Sequence, residues 1–309
     1  MPGFFRAAAR QIAAQISGKA VSLLNSTNRS PCTVEAVHDV LFSILCDIDE
    51  VCRRCGIAYT LIDGTLLGAV RHGDFIPWDD DADIAMTREN FEKFRAVAQR
   101  ELPDHLFVQT RETDPWYDMI NIPMKIRDDR STMIEEKNKR YHQGMYVDVF
   151  ILDNLGADAD AGRALRKKSQ LLLTAKRKLS RRDFPSLAWA LRSLLQLGGK
   201  LIPAEWALRR VERWRQQALR NGRGPLYSYH FGCGWNTEWR ETELFPLREI
   251  PLRGHLFFAP QDPHAVLTAT YGADYQQLPP EEQRVTHALY TSLQREFDFP
   301  PLPTNKKDR

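Results

Sequence analysis

The chain has 309 residues, of which 43% are hydrophobic and 27% are charged, and its formal net charge is +3. This composition is typical of a folded globular protein, and it excludes both a largely disordered chain and a membrane-embedded bundle. The length allows one elaborated domain or two smaller ones with their own hydrophobic cores.

The N-terminal segment and the cysteines indicate in which cellular compartment the protein is expected. No run of 18 uncharged apolar residues occurs in the sequence, so we expect no segment that spans a bilayer. Residues 1–31 predict a weak amphipathic or flexible segment, whose scattered basic residues are not those of a secretory signal. An organelle transit peptide is the alternative for this segment. The odd number of cysteines, five, favours a reducing compartment, and we predict a cytoplasmic protein.

The first strong helical pattern covers residues 33–56. Six apolar residues recur there at helical spacing, namely Val37, Leu41, Ile44, Leu45, Ile48 and Val51. Thr33 stands at the N-cap position and Gly56 at the C-terminal end. The chain then enters the short β-like run IAYTLI and a predicted glycine turn at residues 64–68.

Strands and helices follow in turn. The sequence predicts a strand at ADIAM, a helix at TRENFEKFRAVAQREL with Thr87 as its cap, and strands at HLFVQTRE and NIPMKIRDD. The strongest β pattern is GMYVDVFILDNL. Residues 160–221 predict two or three basic helices, and further helices are predicted at PHAVLTATYG and at EEQRVTHALYTSLQREF. The end of the chain predicts a flexible tail.

Carboxylates are concentrated around one predicted strand. Four of the five residues from Asp79 to Asp83 are acids, and an apolar run follows at once. Because side chains alternate along a strand, Asp81 and Asp83 point to the same face, about 7 Å apart. Asp148 is a lone acid in the hydrophobic strand MYVDVF, where an unpaired buried carboxylate would be costly. We therefore expect Asp81, Asp83 and Asp148 to converge on a divalent cation.

Other acids of this region have plainer explanations. Asp79 and Asp80 follow the turn-like dipeptide Pro77-Trp78, so they equally fit a cap or a strand end in water. Asp153 faces away from Asp148 if the strand runs straight, which predicts a supporting role in a loop or behind the site.

A glycine-rich segment precedes the acids. Gly64 and Gly68 would let backbone N–H groups approach a phosphate closely, and Thr65 would add a hydroxyl donor. Alone this signal is weak. With Asp81 and Asp83 placed 17 and 19 residues after Gly64, it resembles the nucleotidyltransferase fold, in which such a turn binds nucleotide phosphates and a D-x-D pair holds magnesium.

A longer resemblance follows from the same region. The stretch DGTLLGAVRHGDFIPWDDDADI resembles the signature of the LicD family, which includes bacterial phosphocholine transferases and is related to the fukutin proteins. The stretches IPMKIRDDRST, GMYVDVFILDNL and YGADYQQLPP fit the same family pattern. The resemblance covers more than half of the chain, and it is weakest in the basic helical segment.

The resemblance implies an α+β fold: a nucleotidyltransferase-like mixed β-sheet flanked by helices, with an added basic helical segment. It divides the chain into an N-terminal amphipathic or flexible segment at 1–31, a catalytic core at 32–158, a basic helical insertion at 159–224, a C-terminal part at 225–297 that completes the domain, and a flexible tail at 298–309.

The resemblance also implies an activity. A LicD-like enzyme would move phosphocholine or a similar phospho-alcohol from a CDP-linked donor to a glycan hydroxyl and release CMP, using Mg²⁺ or Mn²⁺, in cell-surface polysaccharide or lipopolysaccharide modification. Carried over by position, Asp81 and Asp83 would be metal ligands, and Asp148 would be the third ligand or the base that accepts the acceptor proton. Gly64, Thr65 and Gly68 would hold the donor phosphate.

Cationic side chains are the expected phosphate partners. Arg71 could bind phosphate with both arms of its guanidinium and Lys125 as a point charge, although an ion pair with a nearby aspartate is the alternative for each. His72 could contact the acceptor, or it could be a surface hydrogen-bonding residue. Structural roles are expected for four further residues, namely Trp78, Tyr271, Gly272 and Pro279.

The basic segment allows two interpretations. Residues 163–182 carry many basic side chains with leucines on one helical side, so this helix could lie on an anionic membrane surface at the inner face of the cytoplasmic membrane. Alternatively, it is a solvated basic face on an acidic body. No nucleic-acid recognition motif accompanies the charge, so we expect no nucleic-acid partner.

Two alternatives to phospho-alcohol transfer are kept. A nucleotidyltransferase that moves an NMP group would use the same metal site and attack the other phosphorus. A non-catalytic, membrane-associated scaffold would be expected to lack one of the acids, whereas Asp81, Asp83 and Asp148 are all present.

Overall fold

The computed structural model describes residues 32–136, 139–174 and 202–299. In chain order the helices are α1 (Val34–Cys55), α2 (Asp63–His72), α3 (Arg88–Glu101), α4 (Ala159–Thr174), α5 (Ala204–Ala218), α6 (Glu241–Leu244) and α7 (Pro263–Tyr271). The strands are β1 (Thr60–Leu61), β2 (Ala82–Thr87), β3 (Leu106–Gln109), β4 (Met124–Asp128), β5 (Thr132–Ile134), β6 (Tyr146–Asn154), β7 (Leu226–Tyr229), β8 (Glu238–Arg240), β9 (Arg248–Leu252), β10 (His255–Ala259) and β11 (Tyr290–Ser292).

The central sheet is mixed. Its strand order is β1-β2-β6-β4-β3, and β7 pairs with the far end of β6 and carries β8. The pair β2 and β6 is parallel, whereas the other pairs of this sheet are antiparallel. All nine residues of β6 are buried, as expected for a central strand covered on both faces. Helices and a mixed sheet confirm the predicted α+β class.

Helix α1 forms as its sequence predicts. The Thr33 hydroxyl accepts a hydrogen bond from the N–H of Ala36, and Gly56 closes the helix in the left-handed conformation at φ 64°. The six predicted apolar residues are buried, and the helix packs on β6 and β4. This helix therefore covers one face of the strands that carry the acids.

The predicted glycine turn at residues 64–68 is wrong, because these residues belong to helix α2. Leu66, Leu67 and Ala69 are buried, so the segment contributes an apolar helical face to the core. Gly68 lies where the next part of the chain turns back, and a Cβ there would stand 2.6 Å from the carbonyl oxygen of Asp74. The glycine serves close helix packing, which a sequence pattern alone does not distinguish from a turn.

The helix predicted at EEQRVTHALYTSLQREF is also wrong. A short 3₁₀ turn covers Glu281–Gln283, and β11 then pairs with β5 in an antiparallel ladder. Backbone N–H groups of this segment donate to side chains far away in sequence, as at His287 and Ala288, which both donate to Asp80. These tertiary hydrogen bonds outweigh the local helical pattern and hold the segment against Asp80.

The basic segment is described in part. Helices α4 and α5 lie within it, whereas residues 175–201 fall outside the described residues, as do 1–31 and the end of the predicted tail from 300 on. In α4, the Arg166 side chain is buried and donates to the backbone oxygen of Tyr229, and Arg163 pairs with Glu238. None of the described helices is both long and apolar enough to cross a membrane.

Replacement of Gly68 by alanine tests the packing of α2. In an exposed helix this change would stabilise by about 0.5–1 kcal/mol. Here the new Cβ meets backbone atoms of Asp74, Phe75 and Ile76. We therefore expect Gly68→Ala to lower the free energy of unfolding by about 1–3 kcal/mol in denaturant titrations. A more stable variant would contradict the close contact.

Candidate active site

Three charged side chains lie side by side on neighbouring strands. Asp83 of β2 is paired in register with Asp148 of β6, and Asp148 is paired in register with Lys125 of β4. Residues paired in this way point to the same face of the sheet. Asp81 precedes the strand by one residue. One carboxylate oxygen from each of Asp81, Asp83 and Asp148 lies within 4.8 Å of the other two. We call these three residues the acid cluster.

The acid cluster is largely withdrawn from water. Asp83 is 8% exposed and Asp148 is 3% exposed. Burial, followed by the charge of Asp79, raises the pKa of Asp81 to about 7. Burial and the neighbouring Asp81 raise the pKa of Asp83 well above its usual range. Burial also raises the pKa of Asp148 to about 7, although Lys125 opposes this shift. The fold thus holds mutually repelling carboxylates together.

Lys125 supplies the nearest buried counter-charge. Its Nζ lies 3.1 Å from Asp148 Oδ1 and 3.5 Å from Glu135 Oε1, and 3.3 Å from the centre of the Tyr146 ring. The ammonium is therefore shared between two carboxylates. Of the two roles considered for Lys125, phosphate binding or an ion pair with a nearby aspartate, the structure shows the ion pair. The lysine is buried beside the acid cluster.

The oxygen atoms of the acid cluster fit a hard divalent cation. Carboxylate oxygens are the ligands that Mg²⁺ and Mn²⁺ prefer. Although Asp148 Oδ1 is near Lys125, it is buried and makes no hydrogen bond with any described residue. Among the described residues, the charge at this oxygen is offset by the Lys125 ammonium, which Glu135 shares, and a bound cation would offset it further. The donor set and this oxygen are both consistent with the expected metal site.

Asp63 is an additional acid that the sequence analysis missed. It begins α2, and its side chain accepts a hydrogen bond from the hydroxyl of Tyr229 on β7. Burial raises the pKa of Asp63 to about 6, the Tyr229 bond lowers it, and the charges of Asp81 and Asp148 raise it further. The residue stands inside the quoted motif as the D of DGT, directly before the predicted glycine turn at residues 64–68, and no role is predicted for it from the sequence.

His287 reaches the acids from the C-terminal segment. Its Nδ1 lies 3.4 Å from Asp80, 3.6 Å from Asp79 and 3.8 Å from Asp81. Hydrogen bonding to Asp80 raises the pKa of His287 to about 10, so the imidazole is charged at neutral pH. Asp80 is 1% exposed, so it is an anchor for this segment and not a strand end in water. Nothing in the local sequence links His287 with these acids.

The three residues predicted to hold phosphate, Gly64, Thr65 and Gly68, have different positions in the structure. A Cβ at Gly64 would lie 2.5 Å from Asp79 Oδ2 and 3.8 Å from Asp83 Oδ2, so this glycine borders the acids. The Thr65 hydroxyl accepts the backbone N–H of Asp83 at 2.7 Å and is buried, which fixes the start of β2 against α2. Gly68 lies in the interior of α2 and packs on the following chain.

Arg71 and His72 lie together at the end of α2. The Arg71 Nε donates to His72 Nε2 at 2.9 Å, and an Arg71 terminal nitrogen donates to the backbone oxygen of Tyr275 at 3.2 Å. His72 is exposed. Tyr271, expected to be structural, is the last residue of α7, and its side chain is exposed.

Asp153 does not join the acid cluster. It is 2% exposed near the end of β6, where it forms an ion pair with Arg88 and accepts the backbone N–H of Phe231. Its role is to connect α3 and the loop after β7 to the sheet.

Comparisons with known proteins point to one family. The nucleotidyltransferase domain described as LicD/FKTN/FKRP matches residues 56–151. The lipopolysaccharide cholinephosphotransferase LicD of Haemophilus influenzae is 29% identical over 256 residues, which cover 81% of this chain and 94% of that protein. The ribitol 5-phosphate transferase FKRP of Homo sapiens is 38% identical over 60 residues, 19% of this chain and 11% of that protein.

The matched region contains the site described above. Residues 56–151 include Asp63, the acid cluster and Lys125. The mixed sheet and its carboxylates define a nucleotidyltransferase-type domain. Residues 56–151 form a LicD-type domain, and the similarity to LicD over 81% of the chain supports the same class: the protein is an enzyme, a phosphotransferase of the LicD type.

The raised pKa values predict how stability depends on pH without metal. An unfolded aspartate titrates near pH 4, so at higher pH the folded acid cluster binds more protons than the unfolded chain. Its contribution to stability therefore falls as pH rises from about 4 to about 7. Asp83→Asn removes one of the crowded acids. In EDTA, we expect its thermal midpoint to exceed that of the wild type by a few degrees at pH 7.5, and by less at pH 5.

The control for this measurement is Glu205→Gln, which removes an exposed acid of α5. It should follow the wild-type midpoint at both pH values. Equal midpoints of Asp83→Asn and wild type at pH 7.5 would show that the acids do not repel one another in the folded protein.

Proposed function

We propose that this enzyme transfers a phospho-alcohol, such as phosphocholine, from a CDP-linked donor to a glycan hydroxyl and releases CMP. The observation that carries the proposal is the acid cluster, because its three carboxylates, together with one shared lysine, suit a cation-bound diphosphate. The names of the relatives support the same class, since one is a lipopolysaccharide cholinephosphotransferase and another a ribitol 5-phosphate transferase.

Asp81, Asp83 and Asp148 would hold the cation, Mg²⁺ or Mn²⁺. When bound, the cation supplies charge neutralisation to the phosphate oxygens and to the departing CMP. Lys125 favours the ionised form of Asp148 and fixes the position of its carboxylate, since its Nζ lies 3.1 Å from one carboxylate oxygen. The Thr65 hydroxyl fixes the backbone at Asp83. These contacts prepare the ligands before substrate arrives.

In the transfer one P–O bond forms and another breaks. The acceptor hydroxyl oxygen forms a bond to the phosphorus that carries the alcohol, and the bond from that phosphorus to the bridging oxygen breaks. The electron pair of the broken bond leaves with CMP. In this proposal the hydroxyl proton passes to Asp63, whose pKa of about 6 suits a general base near neutral pH. Asp148 is then free to act as the third ligand.

A glycan acceptor that is assembled at a membrane would be reached best by an enzyme that binds the membrane surface. We propose a cytoplasmic enzyme that contacts the anionic inner face through its basic helical segment. The described part of that segment presents Lys167 and Lys168 as exposed side chains on α4. Each cation close to such a surface adds about 1 kcal/mol of attraction.

Turnover of CDP-linked alcohols tests the function. Purified protein is incubated with Mg²⁺ and CDP-choline, CDP-ethanolamine, CDP-ribitol or CDP-glycerol, with and without glycan acceptors, and CMP release is measured. We expect one donor to give glycan-dependent CMP release. Asp83→Asn should lower the rate about a thousandfold or more, because several kcal/mol of charge stabilisation are lost. Glu205→Gln should retain the wild-type rate.

The outcome also distinguishes the alternatives. Release of pyrophosphate from a nucleoside triphosphate, with an NMP-labelled product, would contradict phospho-alcohol transfer. Full turnover by Asp83→Asn would remove Asp83 from the cation site.

Asp63→Asn tests the general base. We expect kcat to fall about 100-fold or more, while Mg²⁺ affinity measured by calorimetry stays within a few-fold of the wild type. The kcat that remains in Asp63→Asn should depend less on pH than the wild-type kcat does, since the titrating base is gone. A variant that loses metal affinity as strongly as activity would make Asp63 a ligand.

A further inference from the structure

Two arginines meet at one tryptophan beside the acid cluster. The guanidinium carbon of Arg71 lies 6.0 Å from the centre of the Trp78 ring, and that of Arg284 lies 5.2 Å from it. Arg71 ends α2, whereas Arg284 follows the 3₁₀ turn in the C-terminal segment. Residues more than 200 apart in sequence are thus brought to the same ring. We call Arg71 and Arg284 the arginine pair.

The arginine pair has no carboxylate partner among the described residues. Arg284 donates through Nε to the backbone oxygen of Pro279, and the bonds of Arg71 go to Tyr275 O and His72. Arg71 is half-buried, and burial and the nearby charge of Arg284 lower its pKa. Like charges placed together without an anion are unfavourable, so this arrangement is suited to a bound anion.

The chain connects the arginine pair closely to the acids. Trp78 is the residue directly before Asp79. Three residues after Arg284, the His287 side chain lies 3.8 Å from Asp81 of the acid cluster. Helix α2 carries Asp63 at its start and Arg71 near its end, and α7 packs on this helix. An anion at the arginine pair would therefore adjoin a cation held by the acid cluster.

We propose that Arg71 and Arg284, supported by Trp78, form an anion clamp that binds a phosphate group of the nucleotide diphosphate donor. The clamp rests on the proposed function and adds a residue, Arg284, that lies outside the matched domain at 56–151. Arginine suits this role because its planar guanidinium binds phosphate oxygens in pairs. Trp78 packs against the core and gives both guanidinium groups a fixed aromatic support.

Binding of CMP tests the clamp. With Mg²⁺ present, calorimetry compares CMP, phosphocholine and cytidine on wild type, Arg284→Gln, Arg284→Lys and Arg71→Gln. We expect Arg284→Gln to weaken binding of CMP or of phosphocholine about 10- to 100-fold, as for loss of a charge-assisted hydrogen bond. Cytidine, which lacks phosphate, should bind all variants equally. Arg284→Lys should be intermediate, since it keeps the charge and loses the paired geometry.

Two controls separate binding from folding. Arg213→Gln, at an exposed arginine of α5, should leave every affinity unchanged. Thermal midpoints identify any variant that is unfolded. If Arg71→Gln is destabilised because it loses the hydrogen bond to Tyr275 O, the conclusion is drawn from Arg284→Gln alone. Weaker binding of CMP would show that the clamp holds the phosphate that leaves. Weaker binding of phosphocholine would show that it holds the phosphate that is transferred.

Steady-state kinetics make the two proposals fail separately. We expect the KM for the CDP-linked donor to rise at least about tenfold in Arg284→Gln, with kcat changed much less. If the wild type turns over donor and Arg284→Gln retains its KM and phosphate affinities, the clamp is wrong and the function stands. If the wild type neither binds CMP nor turns over any donor, the proposed function fails and the clamp fails with it.

Discussion

Repulsion between carboxylates that the fold holds together is the constraint on which the site depends. Asp83 and Asp148 are opposite each other on parallel strands, and the register leaves them no freedom to separate. Both are almost fully buried, so water screens their charges poorly. A shared lysine offsets part of this charge, and the remainder is the physical reason to expect a cation.

The surrounding elements fix this arrangement from several directions. Helix α1 covers the sheet behind the acids, and the start of α2 brings Asp63 and Gly64 to their front. The C-terminal segment lies beside these acids, because Asp80 accepts two of its backbone N–H groups. In this position, His287 contacts Asp80 and Arg284 contacts Trp78, each about two hundred residues earlier in the chain. The site therefore includes residues from outside the matched domain at 56–151, such as Tyr229 and His287.

Sequence reasoning identified the features that depend on local chemistry. The alternation of Asp81 and Asp83 and the isolation of Asp148 in an apolar strand were enough to bring these acids together on one face. The caps at Thr33 and Gly56 also follow from local backbone chemistry. The strand neighbours of Asp148 could not be derived in this way, because Lys125 reaches it only through the antiparallel pairing of β4 with β6.

The wrong predictions share one physical cause. At residues 64–68 and 281–297, local pattern was outweighed by tertiary contacts: close packing at Gly68 in one case, and hydrogen bonds to Asp80 in the other. The role of Asp63 was missed because its bond to Tyr229 joins distant elements. Long-range partners of this kind leave no periodic signal in the sequence.

Anomalous diffraction from crystals grown with Mn²⁺ is the most direct measurement of the central claim. The account predicts one manganese peak in contact with carboxylate oxygens of Asp81, Asp83 and Asp148, at about 2 Å from each. A peak held instead by Asp79, Asp80 and His287, or no peak beside Asp83 and Asp148 at a saturating concentration, would contradict it.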